Sequence, residues 1–237
     1  MSNEPNTRIG KFKKRKRKKI ILYITVPISI ILIAVFSFGM HLYIQAQNTV
    51  EQSFEAVERE NEISELREEA VDPIEDNVSV LIIGVDDSEK RGFEDSSRSD
   101  TLLLATFNKE KENVKLLTIP RDTYVFVPEV GYHTKINHAH AYGGPKATME
   151  TIEQFLNVPV DYYVRLDFEA FIEIVDTLGG IMYDVPYEIH EMDSNDKKDA
   201  IHLLPGYQNL NGEEALALAR TRKYDNDIER GKRQQEI

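Results

Sequence analysis

Nine charged side chains stand out by type and position: Asp86, Arg98, Asp100, Arg121, Lys135, Arg220, Arg222, Arg230 and Arg233. The chain carries a formal net charge of −12, so a concentration of arginine is not a product of composition. Arginine clusters suit phosphate, because the planar guanidinium fork meets two oxygens at once. A pair of carboxylates beside phosphates suits Mg²⁺, which takes a few carboxylates together with phosphate oxygens. There is no Walker-type glycine-rich loop, so nucleotide hydrolysis has little support. His133, His138 and His140 cluster near Lys135. An HxH pair without a third ligand is a weak metal signal, and loop histidines are the simpler reading. The chain has no cysteine, which excludes disulfides, thiolate metal ligands and a thiol nucleophile.

Three apolar runs lead to these charges. Val78–Ile83 has the β-branched look of a buried strand and stops at Gly84, with Asp86 close behind. Thr101–Phe107 follows Arg98 and Asp100, and Val114–Ile119 ends in Pro120-Arg121-Asp122. A lone charge beside a strand is usually a solvated turn residue. Three such signals beside three core strands point to one site, provided the connections do not separate them. Asn108–Asn113 is a polar turn that predicts a hairpin between the second and third runs.

Further on, Pro145 suits the first turn of a helix with Met149, Ile152, Phe155 and Leu156 on its inner face. Val160–Leu166 alternates like a strand. Phe168–Leu178 predicts an amphipathic helix stopped by Gly179-Gly180, and Ile181–Val185 another strand. The apolar faces of the helices at 149–156 and 168–178 suit a lipid channel or ordinary core packing equally. Glu188–Ala200 reads as an acidic, mobile insertion. Asn211-Gly212-Glu213-Glu214 resembles a capping box, opening a helix that ends near Arg220 and Arg222. Arginine at that end also complements the helix dipole. Asp227 can cap a last helix, with Asp227, Arg230 and Gln234 on one face. Strands interleaved with helices predict a mixed α–β layered domain, an α/β class with a central sheet flanked by helices.

The basic charge is concentrated at the start. Residues 1–19 hold nine Lys or Arg and one acid, and residues 20–50 hold no charged residue. The stretch 20–44 is long enough to span a bilayer, and the basic flank predicts a cytoplasmic tail with the remainder outside. The tail is better explained by topology and anionic lipid than by nucleic acid. Residues 45–76 read as a stalk, helical as far as Ala70, and the globular domain as 77–237.

In chain order the motifs GVD, RSDT, IPRD, KINHAHAYGG, ARTR and DxxRxxRQ lie behind a basic tail and one apolar span. That order resembles the LytR-CpsA-Psr family over residues 77–237, and within it the members that attach wall teichoic acid to peptidoglycan in Gram-positive bacteria. The resemblance implies a membrane-anchored phosphotransferase. It would move a glycopolymer from a polyprenyl-pyrophosphate carrier to a peptidoglycan sugar hydroxyl and release polyprenyl phosphate. It implies catalytic roles for Asp86, Asp100, Arg121 and Arg220. Asp86 and Asp100 would hold Mg²⁺, or Mn²⁺ in its place, and either could be the base. Pyrophosphate would be bound by Arg98, Arg121, Lys135, Arg220, Arg222, Arg230, Arg233 and Gln234, with Asp227 orienting the arginines. Glu229 stands where the family commonly has glycine. The family domain normally continues past this last motif, so the domain is expected to be incomplete at Ile237. Two other readings use the same residues. One is a non-catalytic lipid-binding envelope regulator of the transcriptional-attenuator type, and the other a capsule ligase. The carboxylates beside the arginines favour an enzyme.

Overall fold

The computed structural model describes residues 25, 27–28, 32–44, 63–86, 97–221, 223 and 226–237, with the backbone alone at Asp227. Two compact units divide the chain, Met1–Ala56 and Val57–Ile237. In the first, residues 32–44 are helical, as are 25, 27 and 28. Their side chains are mostly apolar and all exposed, Phe36 by 76% and Ile33 by 67%. Among the described residues no helix is long and apolar enough to cross a membrane. The basic tail and much of the predicted span lie outside the described residues.

In the second unit, β1 (Val78–Val85) sets the plan. Successive strand residues point to opposite faces. Leu81, Ile83 and Val85 are fully buried on one face, while Val80, Ile82 and Gly84 are partly open on the other. β1 pairs antiparallel with β2 (Ser99–Asn108), which pairs antiparallel with β3 (Asn113–Thr118) through the hairpin at Asn108–Asn113. β6 (Tyr162–Leu166) joins the other side of β1 in parallel, giving the order β3-β2-β1-β6. The hairpin of β4 (Tyr124–Val127) and β5 (Tyr132–Lys135) packs with α1 (His138–Leu156) on the buried face. That core joins Leu81, Ile83, Leu102 and Leu104 of the sheet to Val125, Val127, Met149 and Ile152.

A second core gathers Val175, Val185, Ile189, Leu203, Leu210, Ala215 and Leu218. It unites α2 (Phe168–Thr177), β7 (Ile181–Val185), β10 (Gly206–Leu210) and α3 (Gly212–Arg220) with the hairpin of β8 (Ile189–Glu191) and β9 (Ile201–Leu203). α4 (Asp227–Glu236) reaches β3. There Gly231 allows close approach, since a Cβ on it would stand 3.0 Å from Thr118.

Several expectations change. β3 is an edge strand, exposed along Asn113–Leu117, not a core strand, because among the described residues β2 is the only strand paired with it. Residues 63–70 form turns and bends, not stalk helix, and the rest of the expected stalk helix, 45–62, lies outside the described residues. Arg67 holds this stretch to the domain with a two-point contact to Asp161, Nε–Oδ1 2.9 Å and Nη2–Oδ2 2.7 Å. Asp161 also accepts from the Ser79 amide and hydroxyl at 2.8 and 2.9 Å, so the ion pair locks the start of β1 against β6. α1 starts at His138 and breaks at Gly143 and Gly144, where φ of +62° at Gly144 interrupts the helix before Pro145. Phe155 is 48% exposed, off the inner face that Met149 and Ile152 occupy. The supposed mobile insertion contains β8 and is tied to β9 by Ile189 and Leu203 in the second core. Asn226, not Asp227, caps α4, its Oδ1 accepting from the amides of Ile228 and Glu229 at 2.9 and 3.0 Å. The capping box at Asn211 and Glu214 forms as expected.

Candidate active site

The C-terminal end of β1 carries Asp86, the N-terminal end of β2 carries Asp100, and Arg121 follows β3. With β1, β2 and β3 antiparallel in turn, a C-end, an N-end and a C-end fall at the same edge of the sheet. Parallel pairing of β6 adds its own C-terminal end there, with Asp167 and Phe168. Hairpin connections therefore unite the three charged runs.

A cavity of about 610 Å³ opens at this edge, over the sheet face opposite the α1 core. Its charged and polar lining includes Asp86, Asp100, Arg121, Arg220, Arg230 and Gln234. Its apolar walls come from Ile82 and Leu103 of the sheet, Phe168 and Phe171 of α2, and Leu216 of α3. Gly84 leaves the floor low, since a Cβ there would meet Thr101 at 3.0 Å. Of the two helices with apolar faces suited to a lipid channel, α2 lines the cavity and α1 packs behind the sheet.

Arg121 Nη1 donates to Asp100 Oδ1 in an ion pair that is partly open to solvent. Arg121 Nε is buried, with no hydrogen-bond partner among the described residues. A buried donor left unsatisfied is costly, and an anion entering the cavity would relieve it. The backbone behind Arg121 is fixed by the Asn137 amide, which donates to the Arg121 carbonyl at 3.2 Å. The Arg220 guanidinium lies 4.3 Å from the centre of the Phe168 ring, a cation–π contact that joins the end of α3 to the start of α2. Arg230 is 5% exposed and Gln234 sits one turn further along α4, on the same face.

Other expected residues fall elsewhere. Arg233 is buried away from the cavity and closes the C-terminal end of α3. Its Nε donates to the Leu218 carbonyl at 3.2 Å, Nη2 to the Thr221 carbonyl at 2.9 Å and Nη1 to the Tyr187 hydroxyl at 3.0 Å. Gln234 does both jobs, lining the cavity and donating to the Ala219 carbonyl at 3.2 Å. Lys135 pairs with Asp122 at 3.0 Å outside the cavity. Arg98 is exposed and near His138. Burial, then Arg98 and Lys135, hold the His138 pKa below the ordinary imidazole value. Arg222 and the Asp227 side chain lie outside the described residues. Glu229 is turned to Lys232 at 2.7 Å and does not line the cavity. The histidines at 133, 138 and 140 do not come together as a metal cluster among the described residues.

Asp167 and Gln235 also line the cavity without having stood out in the sequence, whereas Phe168 belongs to the helix expected to suit a lipid channel. Asp167 caps α2, accepting from the Ala170 amide at 2.7 Å. A fourth strand end was legible in Leu166-Asp167-Phe168, but its arrival at this edge depends on the parallel pairing of β6. Gln235 donates to the Thr118 hydroxyl at 2.8 Å.

The LytR_cpsA_psr family model matches residues 40–237. The chain belongs to that family. An uncharacterized protein of Staphylococcus aureus is 48% identical over 204 residues, covering 84% of this chain and 50% of that protein. The polyisoprenyl-teichoic acid–peptidoglycan teichoic acid transferase TagT of Bacillus subtilis is 40% identical over 204 residues, covering 85% of this chain and 62% of TagT. The chain thus spans about half to two thirds of these relatives' lengths. A structure of TagT with bound octaprenyl pyrophosphate lipid superposes with a TM-score of 0.62 at 40% identity, covering 73% of this chain and 67% of that one. The mixed α/β domain with its central sheet is the family's fold.

Proposed function

We propose that this LytR-CpsA-Psr domain transfers wall teichoic acid from a polyprenyl-pyrophosphate carrier onto a peptidoglycan hydroxyl. The observation that carries the reading is one cavity with three carboxylates, Asp86, Asp100 and Asp167, and three arginines beside an apolar wall. A pyrophosphate lipid has the matching halves, a dense anion and a hydrocarbon chain. The relatives named as teichoic acid transferases support the choice of polymer.

In this reading Arg121, Arg220 and Arg230 bind the pyrophosphate, and the aromatic rings of α2 receive the first isoprenes. The acceptor hydroxyl oxygen attacks the polymer-side phosphorus. The bond from that phosphorus to the bridging oxygen breaks, and polyprenyl phosphate leaves with the electron pair. A carboxylate, Asp86 or Asp100, takes the hydroxyl proton. Arginines held in place neutralise the charge that moves onto the leaving phosphate. Asp86 and Asp100 offer hard oxygen donors in the same cavity, which fits Mg²⁺. When bound, Mg²⁺ supplies Lewis-acid stabilisation of phosphate charge. Arg98 and Lys135 fit the approach to the site better than its centre. The helix at 32–44 belongs to a single membrane anchor, with the basic tail cytoplasmic and the domain outside.

Transfer measured by polyprenyl phosphate release, using a version extended to the length of the relatives, tests the reading. Asp100→Asn should lower turnover strongly. A raised Mg²⁺ requirement would make Asp100 a metal ligand, and an unchanged requirement with a lower maximal rate would make it the base. Full activity of Asp100→Asn, with wild type indifferent to chelator, would exclude both roles.

A further inference from the structure

On the β8–β9 hairpin, away from the cavity, three exposed ligand-type side chains converge. His190 and His202 are cross-strand partners, and their rings stack with centroids 4.2 Å apart. Both Nε2 atoms address one oxygen of Glu188, Oε1, at 3.2 and 2.7 Å. The three ligand atoms lie within 4.8 Å of one another.

We propose that Glu188, His190 and His202 form a site for a divalent transition metal of the zinc class. Two imidazole nitrogens and one carboxylate are a common zinc donor set, with a fourth position left to water. Ligand atoms on a tetrahedral zinc stand about 3.3 Å apart, as bond lengths of about 2.0–2.1 Å require. The His190 Nε2–Oε1 separation of 3.2 Å is already close to that, and the His202 contact at 2.7 Å would lengthen. The backbone pairing fixes both histidines on one face, so side-chain rotation suffices to close the site. Protons on the imidazoles now bridge to Glu188, and a metal would replace them.

Position gives the site a consequence. The hairpin has only three residues in each strand. A metal clip between His190 and His202 would hold its register. The same strand is tied to the segment after Arg220. The Thr221 hydroxyl donates to Glu191 at 2.6 Å, Lys223 pairs with Glu191 at 3.2 Å, and Lys223 Nζ also donates to the His190 carbonyl. Metal on the hairpin would therefore steady the end of α3.

The test titrates the untagged 237-residue chain in detergent with Zn²⁺ against a chelating dye. One ion should bind per chain. His202→Ala and Glu188→Gln should each weaken it by more than ~10-fold, since even groups that only orient ligands cost ~10–100-fold. His133→Ala should bind like wild type. Zinc should raise the melting temperature of wild type and not that of Glu188→Gln, whose shape is conserved and whose folding is checked by circular dichroism. Equal zinc affinity in wild type, His202→Ala and Glu188→Gln would overturn the proposal, as would loss of binding in His133→Ala alone. Absence of zinc binding by wild type would reduce the cluster to an ion pair and end it as well.

Discussion

Arg121 and Asp100 form an ion pair across the edge of the sheet, one following β3 and the other opening β2. Twenty-one positions separate them in sequence, and antiparallel pairing closes that distance. The pair stores both charges beside the cavity. It also leaves Arg121 Nε buried and unsatisfied among the described residues, so the guanidinium is set to receive an anion.

Arg121→Ala should weaken octaprenyl pyrophosphate binding by about 1.5–3 kcal/mol, the worth of a charge-assisted hydrogen bond. Arg121→Lys should rescue little, because an ammonium cannot reproduce the planar fork. Isothermal titration of both variants checks this. Affinity equal to wild type in Arg121→Ala would leave Arg121 as a surface charge held by Asp100.

Arg230 and Arg233 are three residues apart and should behave differently. Arg233→Ala leaves the Leu218 and Thr221 carbonyls and the Tyr187 hydroxyl without their donor. Stability should fall by about 1–3 kcal/mol in urea unfolding. Arg230→Ala should instead reduce lipid affinity. The opposite pattern would mean that the cavity is drawn around the wrong arginine.

His140 predicts a pH dependence of stability. The Ser97 carbonyl lies 2.7 Å from Nδ1, which places the proton there, and Nε2 is buried with no partner among the described residues. Burial pushes the pKa down, against a smaller opposing effect of the Ser97 bond. A lowered folded pKa means that the unfolded chain takes the proton first. This contribution is present above the unfolded value of about 6.5 and is lost as pH falls below it. Urea midpoints between about pH 5 and pH 8 should fall toward acid, and His140→Gln should flatten that slope. An unchanged slope in the variant would remove His140 as the cause. His140 matters here because Ser97 begins the approach to Arg98 and Asp100.

Arg67→Ala should destabilise the domain by about 1.5–3 kcal/mol, since the Asp161 carboxylate is 2% exposed and loses its cation. Equilibrium unfolding of the variant reads this directly. A loss within error would mean that residues 63–77 are not a structural part of the domain.

Strand ends and arginines were legible because each has a local signal. Periodicity marked β1 and β2, and Asn108–Asn113 marked their hairpin partner. Motif order marked the family. Tertiary placement was not legible. β3 carries the same apolar residues as a core strand, and only its place at the sheet edge exposes them. Arg230 and Arg233 look alike in DxxRxxRQ and share one broad side of α4, yet tertiary packing takes one to the cavity and the other to the carbonyl end of α3. Phe168 gained its role from Arg220, more than fifty positions away, and no local pattern announces such a pair.

The central claim is that one cavity takes the charged head and the hydrocarbon chain of the same ligand. Binding of octaprenyl pyrophosphate, octaprenol and inorganic pyrophosphate to the chain in detergent, measured by isothermal titration, tests it most directly. The account predicts that octaprenyl pyrophosphate binds far more tightly than either fragment. Arg230→Ala should bring it down toward octaprenol, and Phe171→Asp down toward pyrophosphate. Equal affinities for octaprenol and octaprenyl pyrophosphate, unchanged in Arg230→Ala, would contradict it.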